Sequence, residues 1–316
     1  MRAIAARTFR AAAELLDVPV REARDDEVRV RLAAAGVNPF DWKILDGLFE
    51  GERPHVFPLV AGVDGAGVVE SVGRSVRHLH VGDRVAGSFL HDPVGIGTYA
   101  EFATVPESNA IARLPEPVPF AAAAALPTAG ITAWDGLERL AVQPGGTLLI
   151  VGASGGVGSM ATALAVSRGV RVIATARPAS EPLLRQLGAR ELVDPAAPDL
   201  VAEVRPRAPD GLDGLLDTGS DAPTFARLAA LVRRGGTAAT TVHAADETAA
   251  AEDGVTRINL NLQPRTETLA KLLAEVAAGR LGVPIARTLP LREGPRALAE
   301  SRSRTSVGKT VLSIPE

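Results

Sequence analysis

Between residues 147 and 177 the hydrophobic pattern changes period twice. Residues 148–151 are a continuous apolar run without alternation, as expected of a strand buried on both faces of a parallel sheet. A glycine-rich turn follows, residues 160–166 supply the apolar content of a helix, Gly169 ends it, and residues 170–175 form a second apolar run. The pattern predicts one βαβ unit.

Upstream, the pattern is that of a sheet with one wet face. Val28, Val30 and Leu32 alternate with Glu27, Arg29 and Arg31, and residues 1–7 read as another strand. Pro19 and the charged run 21–26 read as the loop between them. Asn38-Pro39 breaks regular structure, and Asp41 and Trp42 stand where a short helix can start. Residues 54–58 read as a loop, and residues 59–70 as strand residues with three glycines, a mark of bulges or close backbone approach. Residues 76–85 and 97–105 extend this β-rich region.

Residues 115–119 carry three prolines and read as a hinge. Residues 120–126 are an alanine helix, interrupted by Pro127-Thr128-Ala129-Gly130 before residues 131–140 resume it. Beyond the βαβ unit, helices are predicted at 181–187, 200–204 and 225–232, and strands at 191–193, 214–219 and 236–242. Residues 243–254 read as a mobile, polar, alanine-rich loop. Ile258, Leu260 and Leu262 alternate with Asn259, Asn261 and Gln263. That is a strand with one wet face, able to pair with its twin across a twofold axis if it is an edge. Helix, helix and strand are predicted at 268–278, 291–301 and 309–314.

A chain of 316 residues suits two domains. Its 34 basic and 37 acidic residues nearly balance, so neither a nucleic-acid nor an anionic-membrane surface is expected, and the partners expected are small molecules. Cysteine is absent, which removes disulfides, thiol nucleophiles and thiolate-ligated zinc. The first ten residues lack an apolar signal core, and no apolar run reaches bilayer-spanning length, so a cytoplasmic protein is expected.

The turn inside the βαβ unit carries the chemistry. Ala153, Gly155 and Gly158 keep the G-x-G-x-x-G spacing with alanine first, and Ser154, Gly156 and Val157 complete a cradle at a helix amino end. There the free N–H groups and the helix dipole favour a pyrophosphate. An NAD site usually places an acid about 20 residues beyond the glycines. Here that position is Arg177, and no Asp or Glu lies between Ser154 and Ser180. Either Arg177 grips a 2′-phosphate, which selects NADPH, or it is a solvated loop arginine. Thr175 and Ser180 are candidate helpers. Because ligands lie beyond the carboxyl ends of strands, Asp217-Thr218-Gly219 and Thr240-Thr241-Val242 are expected to face the cofactor. Thr128 either reaches the cofactor or marks a helix kink. Asn38 and Trp42 either line a flat pocket or serve as turn former and core filler.

Several blocks together resemble the zinc-independent quinone oxidoreductases of the medium-chain dehydrogenase/reductase superfamily. They are GVNPFDW at 36–42, AGVDGAGVV at 61–69, VGDRV at 81–85, GTYAEF at 97–102, LPTAGITAW at 126–134, GASGGVG at 152–158 and GKTVL at 308–312. The resemblance implies an α/β protein with a doubly wound Rossmann domain, residues 119–264, inserted into a GroES-like, β-rich, partly open barrel of residues 1–118 and 265–316. It implies a cleft for the nicotinamide between the two, and a homodimer joined along the Rossmann sheet edges. In zinc-dependent relatives a His-Glu pair occupies the places of Val63 and Asp64, with cysteines completing the site. The His78/His80 pair has no third ligand near in sequence, so no metal is expected.

The chemistry so implied is hydride transfer from NADPH to a quinone or an α,β-unsaturated carbonyl, by positioning and weak electrostatic help, with water as a possible proton source. Asn38 is then expected to touch the carboxamide or the acceptor oxygen, and Thr128 the ring or phosphates. Thr241, Val242 and Asn259 are expected to contribute backbone contacts. Tyr99 is a candidate proton donor or a packing residue, with Asp41 and Asp135 as remoter candidates. Phe40 and Trp42, with Leu48 and Phe49, are expected to line a pocket for flat apolar molecules. Two alternatives stand beside this reading: a tailoring or enoyl reductase on a polyketide-like or polycyclic aromatic intermediate, and an NADPH-binding protein without turnover.

Overall fold

The computed structural model describes residues 1–247, 253–303 and 307–315. In chain order its elements are β1 (Arg2–Ala6), β2 (Glu14–Asp17), β3 (Glu27–Gly36), α1 (Pro39–Leu45), β4 (His55–Val60), β5 (Asp64–Val72), β6 (Arg84–Ser88), β7 (Val94–Ile96), β8 (Phe102–Pro106) and β9 (Ile111–Arg113). Then come α2 (Phe120–Ala124), α3 (Pro127–Leu140), β10 (Thr147–Val151), α4 (Gly156–Ser167), β11 (Arg171–Thr175), α5 (Glu181–Gln186), β12 (Glu191–Val193) and α6 (Leu200–Val204). The last are β13 (Leu212–Asp217), α7 (Ala222–Ala229), β14 (Val232–Thr240), β15 (Thr256–Asn259), α8 (Thr266–Ala277), β16 (Ile285–Pro290), α9 (Gly294–Arg302) and β17 (Lys309–Ser313).

The chain divides into two compact units, Met1–Ile131 with Pro264–Glu316, and Thr132–Gln263, so the first division falls within α3. The first unit holds two sheets. One runs β16-β17-β3-β5-β6-β9, with β8 also pairing to β3, and the other runs β2-β1-β4-β7. Long β3 joins much of this unit, because it pairs with β5 along most of its length and with β8 and β17 at its two ends. Its alternation places Val28, Val30 and Leu32 in a core shared with Ile4, Leu59, Phe89, Tyr99 and Leu312.

The second unit is a six-stranded sheet in the order β12-β11-β10-β13-β14-β15, every pair parallel. Only crossover connections can join parallel neighbours, and α4, α5 and α7 lie between successive strands. All five residues of β10 are buried, as its unbroken apolar run requires. Leu149, Ile173, Leu215, Phe225 and Leu228 anchor the core against one face. The strand expected around Ile258 is β15, and it forms the sheet edge.

Three expectations are corrected, and two strands that the pattern does not predict are added. Residues 54–58 are not a loop: β4 begins at His55, and Pro58 is tolerated because it falls between the two points, His55 and Val60, at which β4 pairs with β7. Strands β2 and β16 were hidden as edge strands with mixed or exposed faces. Pro127 does not interrupt a helix but opens α3, in the first-turn place where a missing N–H costs nothing. Val232 begins β14 rather than ending a helix. Part of the loop expected at 243–254, residues 248–252, lies outside the described residues.

Candidate functional site

In the second unit the glycine turn is held from both sides. Thr175 Oγ1 accepts the Gly152 N–H at 2.9 Å, and Thr218 Oγ1 donates to the carbonyls of Val151 and Gly152 at 2.9 and 3.3 Å. Gly152 has φ +73°, and a Cβ there would lie 2.2 Å from Thr218 Oγ1. The three positions of the spacing then separate by cause. Ala153 is buried in the turn. At Gly158 a Cβ would lie 2.3 Å from the Gly152 carbonyl oxygen, so α4 can rest on the strand end only without a side chain. At Gly155 the nearest atom would be 3.4 Å away, an ordinary contact. Protein packing does not demand glycine at 155; close approach of a ligand would. Ser154, Gly155, Gly156 and Val157 are half-buried around the amino end of α4, whose first N–H groups have no intrahelical acceptor.

Arg177 stands just beyond β11, exposed, and its guanidinium has no hydrogen bond or ion pair among the described residues. Thr175 and Ser180 are buried and serve the backbone: the Ser180 hydroxyl donates to the Arg177 carbonyl at 2.9 Å. A nicotinamide dinucleotide therefore fits this edge, with a glycine cradle at a helix amino end and a free cation one strand away.

On the other half of the sheet, Asp217 Oδ1 accepts the N–H groups of Gly219 and Ser220 at 3.1 and 3.0 Å, and burial raises the pKa of its carboxyl. The Thr241 N–H donates to the Asp217 carbonyl at 2.9 Å, and the Val242 N–H to Thr240 Oγ1 at 3.2 Å. Val242 is exposed beyond the strand end. Asn259 uses its side chain to hold Ala245, accepting its N–H at 3.1 Å and donating to its carbonyl at 3.0 Å.

In the first unit, Asn38, Asp41, Asp64, Tyr99 and Lys309 form a network in which every member is at most 2% exposed. Asp64 Oδ2 accepts from Asn38 Nδ2 at 2.9 Å and from the Thr128 N–H at 3.0 Å, while Oδ1 accepts the Thr128 hydroxyl at 2.8 Å. A carboxylate from β5 thus caps the first turn of α3. The Lys309 ammonium donates to Asn38 Oδ1 and lies 3.7 Å from Asp64. Asp41 Oδ2 accepts the Asn38 N–H and the Tyr99 hydroxyl, both at 2.7 Å, and Oδ1 accepts the Val63 N–H at 3.0 Å.

Burial dominates the electrostatics here. It pushes the Asp41 carboxyl up to about 7 against the hydrogen bonds from Asn38 and Tyr99, with the charge of Asp64 adding to the rise. It raises Asp64 against the Lys309 charge, lowers Lys309, and lifts the Tyr99 phenol well above its ordinary range. The Asn38 carboxamide is committed at both ends, and the Tyr99 hydroxyl holds Asp41. Lys309 carried no expected role. The signal available was one of only three lysines in the chain, placed at the start of an otherwise uncharged strand.

The two aromatic pocket candidates part company. Phe40 is half-buried and meets Phe49 edge to face at 5.8 Å, and Leu48 nearby is exposed. Trp42 instead lies under the Arg302 guanidinium of α9, 5.3 Å from its ring centroid. His78 and His80 are exposed, and Arg113 approaches the His80 ring at 3.0 Å. For a zinc ion the donor set does not fit: Val63 and Asn38 offer neither imidazole nor thiolate, and Asp64 already faces a buried ammonium.

Two family models match in tandem, the alcohol dehydrogenase GroES-like domain over residues 24–116 and the zinc-binding dehydrogenase over residues 156–258. The chloroplast envelope quinone oxidoreductase homolog of Arabidopsis thaliana is 38% identical over 192 residues, which is 59% of this chain and 57% of that protein. The NADPH-dependent alkenal/one oxidoreductase of the same plant's chloroplast is 37% identical over 184 residues, 56% of this chain and 47% of that protein. The matches thus span about half the length of these curated relatives. The quinone oxidoreductase from Coxiella burnetii superposes with a TM-score of 0.88 at 26% identity, covering 100% of this chain and 99% of that one.

Proposed function

The chain belongs to the quinone-oxidoreductase-like branch of the medium-chain dehydrogenase/reductase superfamily, and from that premise we propose that it is an NADPH-dependent reductase of quinones or α,β-unsaturated carbonyls that works without a metal ion. The observation that carries the proposal is the unpaired Arg177 beside a glycine cradle whose Gly155 has no packing reason to be glycine. Two of the relatives, a quinone oxidoreductase homolog and an alkenal/one oxidoreductase, favour by name the same acceptor classes.

Bound NADPH supplies the hydride. The residues of the chain bind and orient: the N–H groups at the head of α4 meet the pyrophosphate, and Arg177 pairs with the 2′-phosphate. The hydroxyls of Thr175 and Thr218 keep the turn in shape, and the ends of β13 and β14 offer backbone groups at Thr218, Thr241 and Val242. In the first unit the Asn38–Asp64–Lys309 network acts as internal support, its buried ammonium facing the Asp64 carboxylate. Quinones and enones suit such a site because they are electron-poor without Lewis-acid help. The reading is of a cytoplasmic homodimer, paired along β15, with a catalytic domain formed by residues 1–118 and 265–316.

Arg177→Ala tests the proposal. With a quinone as acceptor, kcat/KM for NADPH is expected to fall by roughly 10- to 100-fold, the worth of one charge-assisted contact, with NADH little changed. Equal losses for both cofactors would show that Arg177 acts through structure.

A further inference from the structure

Three residues beyond the end of β14, His243 has φ +57°, a left-handed backbone that few non-glycine residues adopt and that persists where the surroundings enforce it. The enforcement is visible on both sides. Before it, the Thr241 N–H donates to the Asp217 carbonyl at 2.9 Å and the Val242 N–H to the Thr240 hydroxyl at 3.2 Å. After it, Ala244 is buried, and Ala245 exchanges two hydrogen bonds with the Asn259 side chain at 3.1 and 3.0 Å. The Asn259 N–H in turn donates to Glu247 at 2.7 Å. What this bracing presents is an exposed imidazole with no hydrogen bond or ion pair among the described residues.

Its position in the sheet gives the imidazole a partner. A sheet in this strand order binds a dinucleotide across two mononucleotide halves, outside the carboxyl ends of its strands. The glycine turn and Arg177 belong to the half formed by β10, β11 and β12, so the nicotinamide falls to the half formed by β13, β14 and β15. His243 sits at the carboxyl end of that half. The other ionisable groups there are either withdrawn from the surface, as Asp217 is at 0% exposure, or engaged by neighbours. Asp217 is buried on two amides, Glu247 is bonded to Asn259, and Asp246 interacts with Arg257.

We infer that His243 is a catalytic residue of the proposed reduction, donating the proton that the acceptor's oxygen takes up; this rests on the reductase reading above. As the hydride from NADPH reaches the electron-poor carbon, the displaced electron pair moves onto the carbonyl or quinone oxygen. An imidazolium N–H then protonates that oxygen. The acceptor is reduced by two electrons, NADPH is oxidised to NADP⁺, and water returns the proton to the imidazole.

His243→Asn is the decisive variant, since asparagine also tolerates left-handed backbone but carries no titratable ring. With a quinone and NADPH, kcat is expected to fall by about 100-fold or more, as for loss of a general acid. NADPH affinity, read by cofactor fluorescence, is expected to stay unchanged, and free imidazole to restore part of the rate in His243→Ala. A readout independent of turnover is carbethoxylation of His243 by diethyl pyrocarbonate, followed by peptide mass spectrometry, which NADP⁺ with a hydroquinone is expected to slow. Full-rate turnover by His243→Asn, or modification equally fast with and without those ligands, overturns the inference alone. A wild-type protein that binds NADPH but turns over no quinone or enone overturns the reductase reading, and the inference with it.

Discussion

Asp41 accepts hydrogen bonds at both oxygens and still holds a proton near neutrality, because burial outweighs its three donors. Its carboxyl is pushed from 3.8 up to about 7, so between those values the folded chain keeps a proton that the unfolded chain releases. Stability contributed by this group is therefore present at acid pH and lost as pH rises through that window. Relative to Asp41→Asn, wild-type stability in urea is expected to fall by up to about 4 kcal/mol from pH 4 to pH 7 and then level off, the roughly three-unit shift converted at 1.36 kcal/mol per unit. A difference that does not change with pH would place the proton elsewhere. The side-chain commitments around Asp41 were the least legible part of the sequence. Asn38 stood out as a loop amide, but its inward orientation depends on Lys309, which is 271 residues away in the chain. No periodicity records such a pairing.

At the scale of elements, the βαβ unit was readable because three independent signals coincide: an unbroken apolar strand, glycines at fixed offsets and a helix closed by Gly169. The mechanical roles of those glycines can be separated by experiment. Gly158→Ala places a methyl against the Gly152 backbone and is expected to lower stability by about 1–3 kcal/mol in thermal or urea melts. Gly155→Ala meets nothing closer than 3.4 Å and is expected to melt like wild type while binding NADPH more weakly in a fluorescence titration. A Gly155→Ala protein with lowered stability and unchanged cofactor affinity would reverse those assignments. Edge strands were the main loss. β2 is mostly exposed and no residue of β16 is fully buried, so neither carries the apolar–polar alternation that made β3 legible. The start of α3 was misread for a different reason. Proline looks like a breaker until the N–H it lacks is seen to be one that a first helical turn does not use, and the next residue's N–H, that of Thr128, finds its acceptor on Asp64.

For the whole molecule, the parallel sheet ends in β15, whose outer edge has no partner strand among the described residues. An open edge of this kind invites pairing with a second copy. Sedimentation of the purified chain is expected to give a particle of twice the 32.7 kDa chain mass, and a concentration-independent monomer would remove the dimer. No helix among the described residues is long and apolar enough to cross a membrane. Of the two compact units, Met1–Ile131 with Pro264–Glu316 carries the glycine-rich strands and Thr132–Gln263 the parallel ones. The proposed reaction is hydride transfer from NADPH to an electron-poor acceptor. It is tested most directly by following loss of nicotinamide absorbance when the purified protein meets quinones and enones in parallel, with NADPH or NADH. Sustained oxidation of NADPH well above the rate in solution, and faster than that of NADH, is the expected result. Binding of NADPH without its oxidation by any acceptor would contradict it.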